Sequence, residues 1–128
     1  MRIAFQKLLD RAFHTAASDN ASAALETARR KLEAEHHAGA AVFEMVVPGR
    51  VDLSWFTSML RRLVVHCEST GARLPGCAGV LVAFHHGDRL YCVRAEEVVR
   101  FGCEALRLTP AQMVTMAGTG AEDSTIRH

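Results

Sequence analysis

The chain has 128 residues, 49% of them apolar and 23% charged, which is the composition of one globular domain able to bury about two-thirds of its unfolded surface. A formal net charge of +1 excludes a global field that steers the protein to nucleic acid, a membrane surface or an acidic substrate, and leaves only local patches. Met1–Ala17 carries Arg2, Lys7, Asp10 and Arg11 inside its apolar pattern, unlike a signal peptide, and no apolar run approaches the ~20 residues that span a bilayer. The expected setting is therefore cytoplasmic, with no membrane partner. Cys67, Cys77, Cys92 and Cys103 form no CxxC and are expected as reduced, buried thiols.

In chain order, Ile3, Phe5, Leu8, Leu9, Ala12, Phe13 and Ala16 fall near helical spacing and predict an amphipathic helix over Arg2–Ala17. Ser18-Asp19-Asn20 offers three capping residues, so the chain should break and restart there. The second predicted helix, Ala21–His37, is Ala-rich and charged. Its apolar stripe is thin (Ala21, Ala24, Leu25, Ala28, Leu32), which marks a peripheral arm or half of an interface. Glu26 with Arg30 and Glu33 with His37 are i,i+4 pairs in the favourable order. Gly39 suits the left-handed stop.

Ala40–Val47 reads as the first strand, ended by Pro48-Gly49. Asp52 then caps a third helix, with Val51 and Phe56 placed as a hydrophobic staple. Leu53, Phe56, Leu60, Leu63, Val64 and Cys67 form its core stripe, and Gly71 ends it. Val80–His86 and Arg89–Arg94, separated by Gly87-Asp88, predict a hairpin with a type II′ turn. Its register pairs Phe84 with Tyr91 and Val82 with Val93 on one face, Ala83 with Cys92 and Leu81 with Arg94 on the other. Both faces are apolar enough to be covered. Strand, helix, strand implies a right-handed crossover, with the first strand parallel to Val80–His86. Ala95–Arg107 follows as a helix burying Ala95, Val98, Val99, Gly102 and Leu106, and Thr109-Pro110-Ala111-Gln112 is a capping box for a short last helix.

The expected architecture is α+β. A small mixed three-stranded sheet forms a β-α-β-hairpin-α core over residues 40–118, with a helical N-terminal arm over 2–38 and a short C-terminal helix. Residues 1–118 form a single domain and 119–128 a flexible tail.

Motifs for chemistry are scarce. His36-His37 and His85-His86, with His66 and the cysteines, supply metal-ligand types, but adjacent residues diverge on a strand or a helix, and there is no HExxH or paired Cys knuckle. No metal site and no cofactor is expected. Glu96-Glu97 complement a helix N-terminus. GxSxG, Walker and GxGxxG sequences are absent, so catalysis has no supporting motif and an enzyme is the less favoured class.

Trp55, Met59, Arg62 and His66 recur at i, i+4, i+7 and i+11 on the third helix, as a second stripe at the border of its core face. Trp, Met and Arg are enriched at interface centres, so these four are the candidate partner surface; the same stripe also suits a widened core face with Arg62 snorkelling across it. The leading reading is a small non-enzymatic protein-binding module, a regulator, adaptor or inhibitor, with another protein or a second copy (a homodimer) as partner. One alternative is a nucleic-acid-binding accessory protein using Arg29, Arg30, Lys31 and Arg61. The other is a metal- or thiol-dependent enzyme using the His and Cys residues.

Overall fold

The computed structural model describes residues 3–72 and 77–115. Its elements run α1 (Phe5–Leu9), β1 (His14–Ala17), α2 (Ala21–Glu33), β2 (Ala41–Val46), α3 (Leu53–Ser69), β3 (Val80–His86), β4 (Arg89–Arg94) and α4 (Ala95–Leu106). A 3-10 turn, Ser18–Asn20, precedes α2, and residues 110–115 are helical up to the last described residue. The fold is α+β, as the sequence predicts.

The sheet has four strands, not three, in the order β1-β4-β3-β2. β1 is antiparallel to β4, β4 antiparallel to β3, and β3 parallel to β2. The extra strand comes from the segment whose spacing predicts a helix. α1 stops at Leu9, and Ala16 pairs with Leu90 while His14 pairs with Cys92. Ala12, Phe13 and Ala16 fit helical spacing, but β4 offers an unpaired edge beside them. Pairing there satisfies backbone groups and overrides an Ala-rich propensity. Residues 2–38 are therefore not an all-helical arm.

The hairpin follows its predicted register, Phe84 opposite Tyr91 and Ala83 opposite Cys92. Gly87 has φ +63° and Asp88 does not enter the positive-φ region, which is the sign pattern of a type II′ turn. Asp52 caps α3 by accepting a bond from the Trp55 N–H at 2.9 Å. At the other end Gly71, φ +83°, lets its own N–H reach the Glu68 carbonyl and the Ala72 N–H reach that of Cys67, a Schellman closure. Thr109 and Gln112 bond reciprocally, so the predicted capping box forms. α2 ends four residues earlier than predicted, at Glu33, and its Asn20 makes no side-chain cap bond.

Period-2 alternation divides the sheet between two cores. Phe43, Met45, Val82, Phe84 and Val93 face one side, where they meet α1, α3 and α4. Phe5 sits edge-on to Phe84 at 5.1 Å and to Phe56 at 6.3 Å, and Phe56 sits edge-on to Phe101 at 5.6 Å. Burying a side chain such as Phe56 is worth about 1.5–3 kcal/mol. α4 comes close to α3 because Gly102 has no Cβ: one built there would meet Leu60 Cδ1 at 2.8 Å. The other face is thinner. Ala24, Ala28 and Leu32 of α2 pack on Leu81, Ala83, Leu90 and Cys92. The thin stripe of α2 is thus a core contact with the β3–β4 part of the sheet.

Candidate partner-binding surface

β2 is an edge strand, and its backbone has two sides. The N–H of Ala41 bonds the Gly79 carbonyl at 2.8 Å, and that of Val47 bonds the His85 carbonyl at 2.7 Å. In a parallel ladder alternate residues bond the same neighbour, so Ala41, Phe43, Met45 and Val47 point their amides and carbonyls at β3. Val42, Glu44 and Val46 direct theirs to the open edge. The side chains alternate the other way, across the sheet. Phe43 and Met45 are buried under α3, whereas Val42, Glu44 and Val46 lie on the α2 side, where Val42 packs at the border of the α2 core and Glu44 and Val46 are exposed. Val46 is 75% exposed, the largest value among the big apolar residues described. Glu44 Oε1 lies 2.5 Å from His85 Nε2 on β3, which orients its carboxylate along the sheet.

The four residues of the predicted stripe are split by this arrangement. Met59 is 1% exposed and belongs to the core, so it contributes nothing to a surface. Trp55 is half-buried and leans edge-on against Phe5, at 5.6 Å. Arg62 and His66 sit together over Phe43 of β2, the guanidinium carbon 5.9 Å and the imidazole centroid 5.3 Å from the phenyl centroid. His66 is partly exposed, but its Nε2 is buried against this apolar wall without a hydrogen-bond partner. Val65, on the same stretch of α3, is 49% exposed. Arg62 and His66 therefore border the open edge of β2, and the other two members serve packing.

The basic candidates do not converge. Arg29 and Arg30 both bind Glu26, each at 3.0 Å, and Lys31 is exposed on the same helix. Arg61 lies on α3, which packs on the opposite face of the sheet, beside Asp52 and Ser54 in a shallow groove. Opposite charges thus neutralise the α2 cluster locally, and no continuous basic surface joins the two helices.

The histidines are dispersed. His85 holds Glu44, His86 tilts against Tyr91, and His36 takes a left-handed φ of +71° after α2. Burial and the nearby Lys31 ammonium hold His14 below the ordinary imidazole range. Among the described residues no three His, Cys, Asp or Glu are grouped to hold a metal ion. No helix among them is long and apolar enough to cross a membrane. The predicted tail, 119–128, lies outside the described residues.

Sequence reasoning does not point to Val42, Glu44 or Val46. Their signal is the alternation of Ala40–Val47, which identifies a strand but not which neighbour it lacks. Comparison with known proteins returned no matching family model, no matching curated protein and no matching solved structure.

Proposed function

We propose that the chain is a non-enzymatic protein-binding module whose partner surface is the outer edge of β2, and that it self-associates there by antiparallel pairing with a second copy. The observation that carries the reading is the set of outward amides and carbonyls at Val42, Glu44 and Val46, beside a Val46 side chain 75% exposed. Such an edge is a template for strand addition unless something blunts it. Here a single charge, Glu44, interrupts it.

A second copy is the occupant that suits this edge. Pairing about a two-fold axis through the sheet satisfies the outward groups of both chains and keeps each side chain on its own face. Setting Val42 opposite the partner's Glu44 staggers the two carboxylates, so like charges do not stand opposite one another. A net charge of +1 per chain adds little long-range repulsion. Arg62, Val65 and His66 on α3 extend the contact on one side of the sheet, beyond the six residues of the strand itself. A module of this kind acts as a regulator, adaptor or inhibitor through what it holds.

Sedimentation velocity over a concentration series tests the reading. The wild-type protein should shift from one chain mass to two, and Val46→Lys should stay at one with an unchanged circular dichroism spectrum. A wild-type protein that keeps a single-chain mass throughout would overturn it.

A further inference from the structure

Glu44 is the one charged residue among Val42, Glu44 and Val46, and the fold gives it a titratable neighbour on the next strand. Glu44 is in register with Ala83 and Val46 with His85, so the His85 ring reaches back along the α2 face of the sheet to the carboxylate. Its Nε2 lies 2.5 Å from Glu44 Oε1. The imidazole is 23% exposed and the carboxylate 47%, so the two meet at the rim of the sheet.

Among the described residues, Glu44 is the one carboxylate paired with this ring. From β4, Leu90 stands opposite His85, and Cys92 on the same face keeps its proton, its thiol pushed up to about 11 mainly by desolvation. α2 turns Ala24, Ala28 and Leu32 to the sheet, while its Arg29 and Arg30 pair with Glu26. Lys31 acts on His14 of the far strand β1, and Arg94 is held by Glu35. His37 lies by Gly79, just before the opposite end of β3. His86 tilts against Tyr91 on the other face, opposite Arg89, and Asp88 lies in the turn. His66 and Arg62 border the edge from the α3 face, with the sheet between them and Glu44.

We propose that the Glu44–His85 pair makes self-association at the β2 edge proton-dependent, tightening it when His85 is charged, an inference that rests on the edge pairing proposed above. With Val42 opposite the partner's Glu44, the two Glu44 side chains stand diagonally across the two-fold axis, about 7–8 Å apart. That separation is inside the Debye length of about 10 Å at 0.1 M salt, so the carboxylates repel. A protonated His85 offsets the charge of its own Glu44 in each copy. A neutral His85 can still donate one hydrogen bond, but it leaves both negative charges whole. Dimerisation therefore takes up protons, and association weakens as the pH rises through the imidazole range. Protonating His66, beside Arg62, acts in the opposite sense. The signature of the pair is thus the difference that the Glu44 charge makes at each pH.

Sedimentation equilibrium of the full chain at about pH 5.5 and about pH 8, on either side of the ordinary imidazole value, compares wild type with Glu44→Gln, which keeps the shape and removes the charge. At the higher pH the variant should dimerise roughly threefold to tenfold more tightly than wild type, and at the lower pH the two should agree within about twofold. About 1 M salt should close the gap at the higher pH. His85→Gln should dimerise more weakly than Glu44→Gln at both pH values, because nothing then offsets the carboxylate. An equal effect of Glu44→Gln at the two pH values overturns the proposal and leaves the edge pairing standing. Wild type and Glu44→Gln that both keep a single-chain mass at both pH values overturn the edge pairing as well.

Discussion

β1 and β2 close the two sides of the same sheet with different means. β1 has four residues, His14–Ala17, and lies on the side that α2 roofs, with Ala16 packed into the α2 core. β2 has six, of which Val42 alone reaches the border of the α2 core, so Val46 stands exposed where the other edge carries alanine and threonine. On its opposite face β2 lies under α3, whose Arg62 and His66 border the free backbone. A short edge with small side chains offers little to a partner, whereas a longer one with an apolar residue offers a ladder and a contact surface together. The cover that each edge receives, not composition alone, is what singles out β2 for the proposed docking surface.

The largest expected effect tests what the two edges share. Phe84 lies on β3, 0% exposed and edge-on to Phe5, so Phe84→Ala should cost about 3–5 kcal/mol in urea unfolding. That loss should come as one transition, because both edges hang on the same central pair.

A smaller effect isolates the β2 side. Asp52→Ala removes the cap of α3 and should lower stability by about 1 kcal/mol, also read by urea unfolding. Self-association should weaken with it, since α3 places Arg62 and His66 at the edge.

Smaller still in stability, but sharpest for the comparison, are two proline substitutions. Glu44→Pro and Thr15→Pro each remove an outward N–H from an edge and leave inward ladder bonds in place. Sedimentation should show association lost in Glu44→Pro and unchanged in Thr15→Pro.

The smallest effect lies on the β1 side. His14 is held below its ordinary value of 6.5, mainly by burial, so the unfolded chain binds the proton more readily than the folded one. Stability should therefore fall slightly as pH drops from above 6.5 through the lowered folded value. His14→Gln should flatten that slope in thermal melts.

The way these edges escaped the sequence is instructive. The hairpin, its turn and register, the Asp52 cap and the Gly71 stop are local devices, each readable from a few adjacent residues. β1 is not local. His14–Ala17 is strand only because β4, some 75 residues later, leaves an edge to fill, and Ala12, Phe13 and Ala16 fit helical spacing equally well. With β1 misread, the strand order could not be derived, and neither could the identity of the free edge. The stripe on α3 was half legible. Spacing placed Arg62 and His66 at the border of the core face, but it could not tell that Met59, one turn nearer the start of the helix, points into the core.

Backbone amide exchange resolved to single residues, at low and at high protein concentration, reads pairing at the β2 edge itself. The Val42, Glu44 and Val46 amides should exchange freely when dilute and become protected when concentrated, while the Thr15 and Ala17 amides exchange alike in both. Equal, unprotected exchange at the three β2 amides at both concentrations would contradict it.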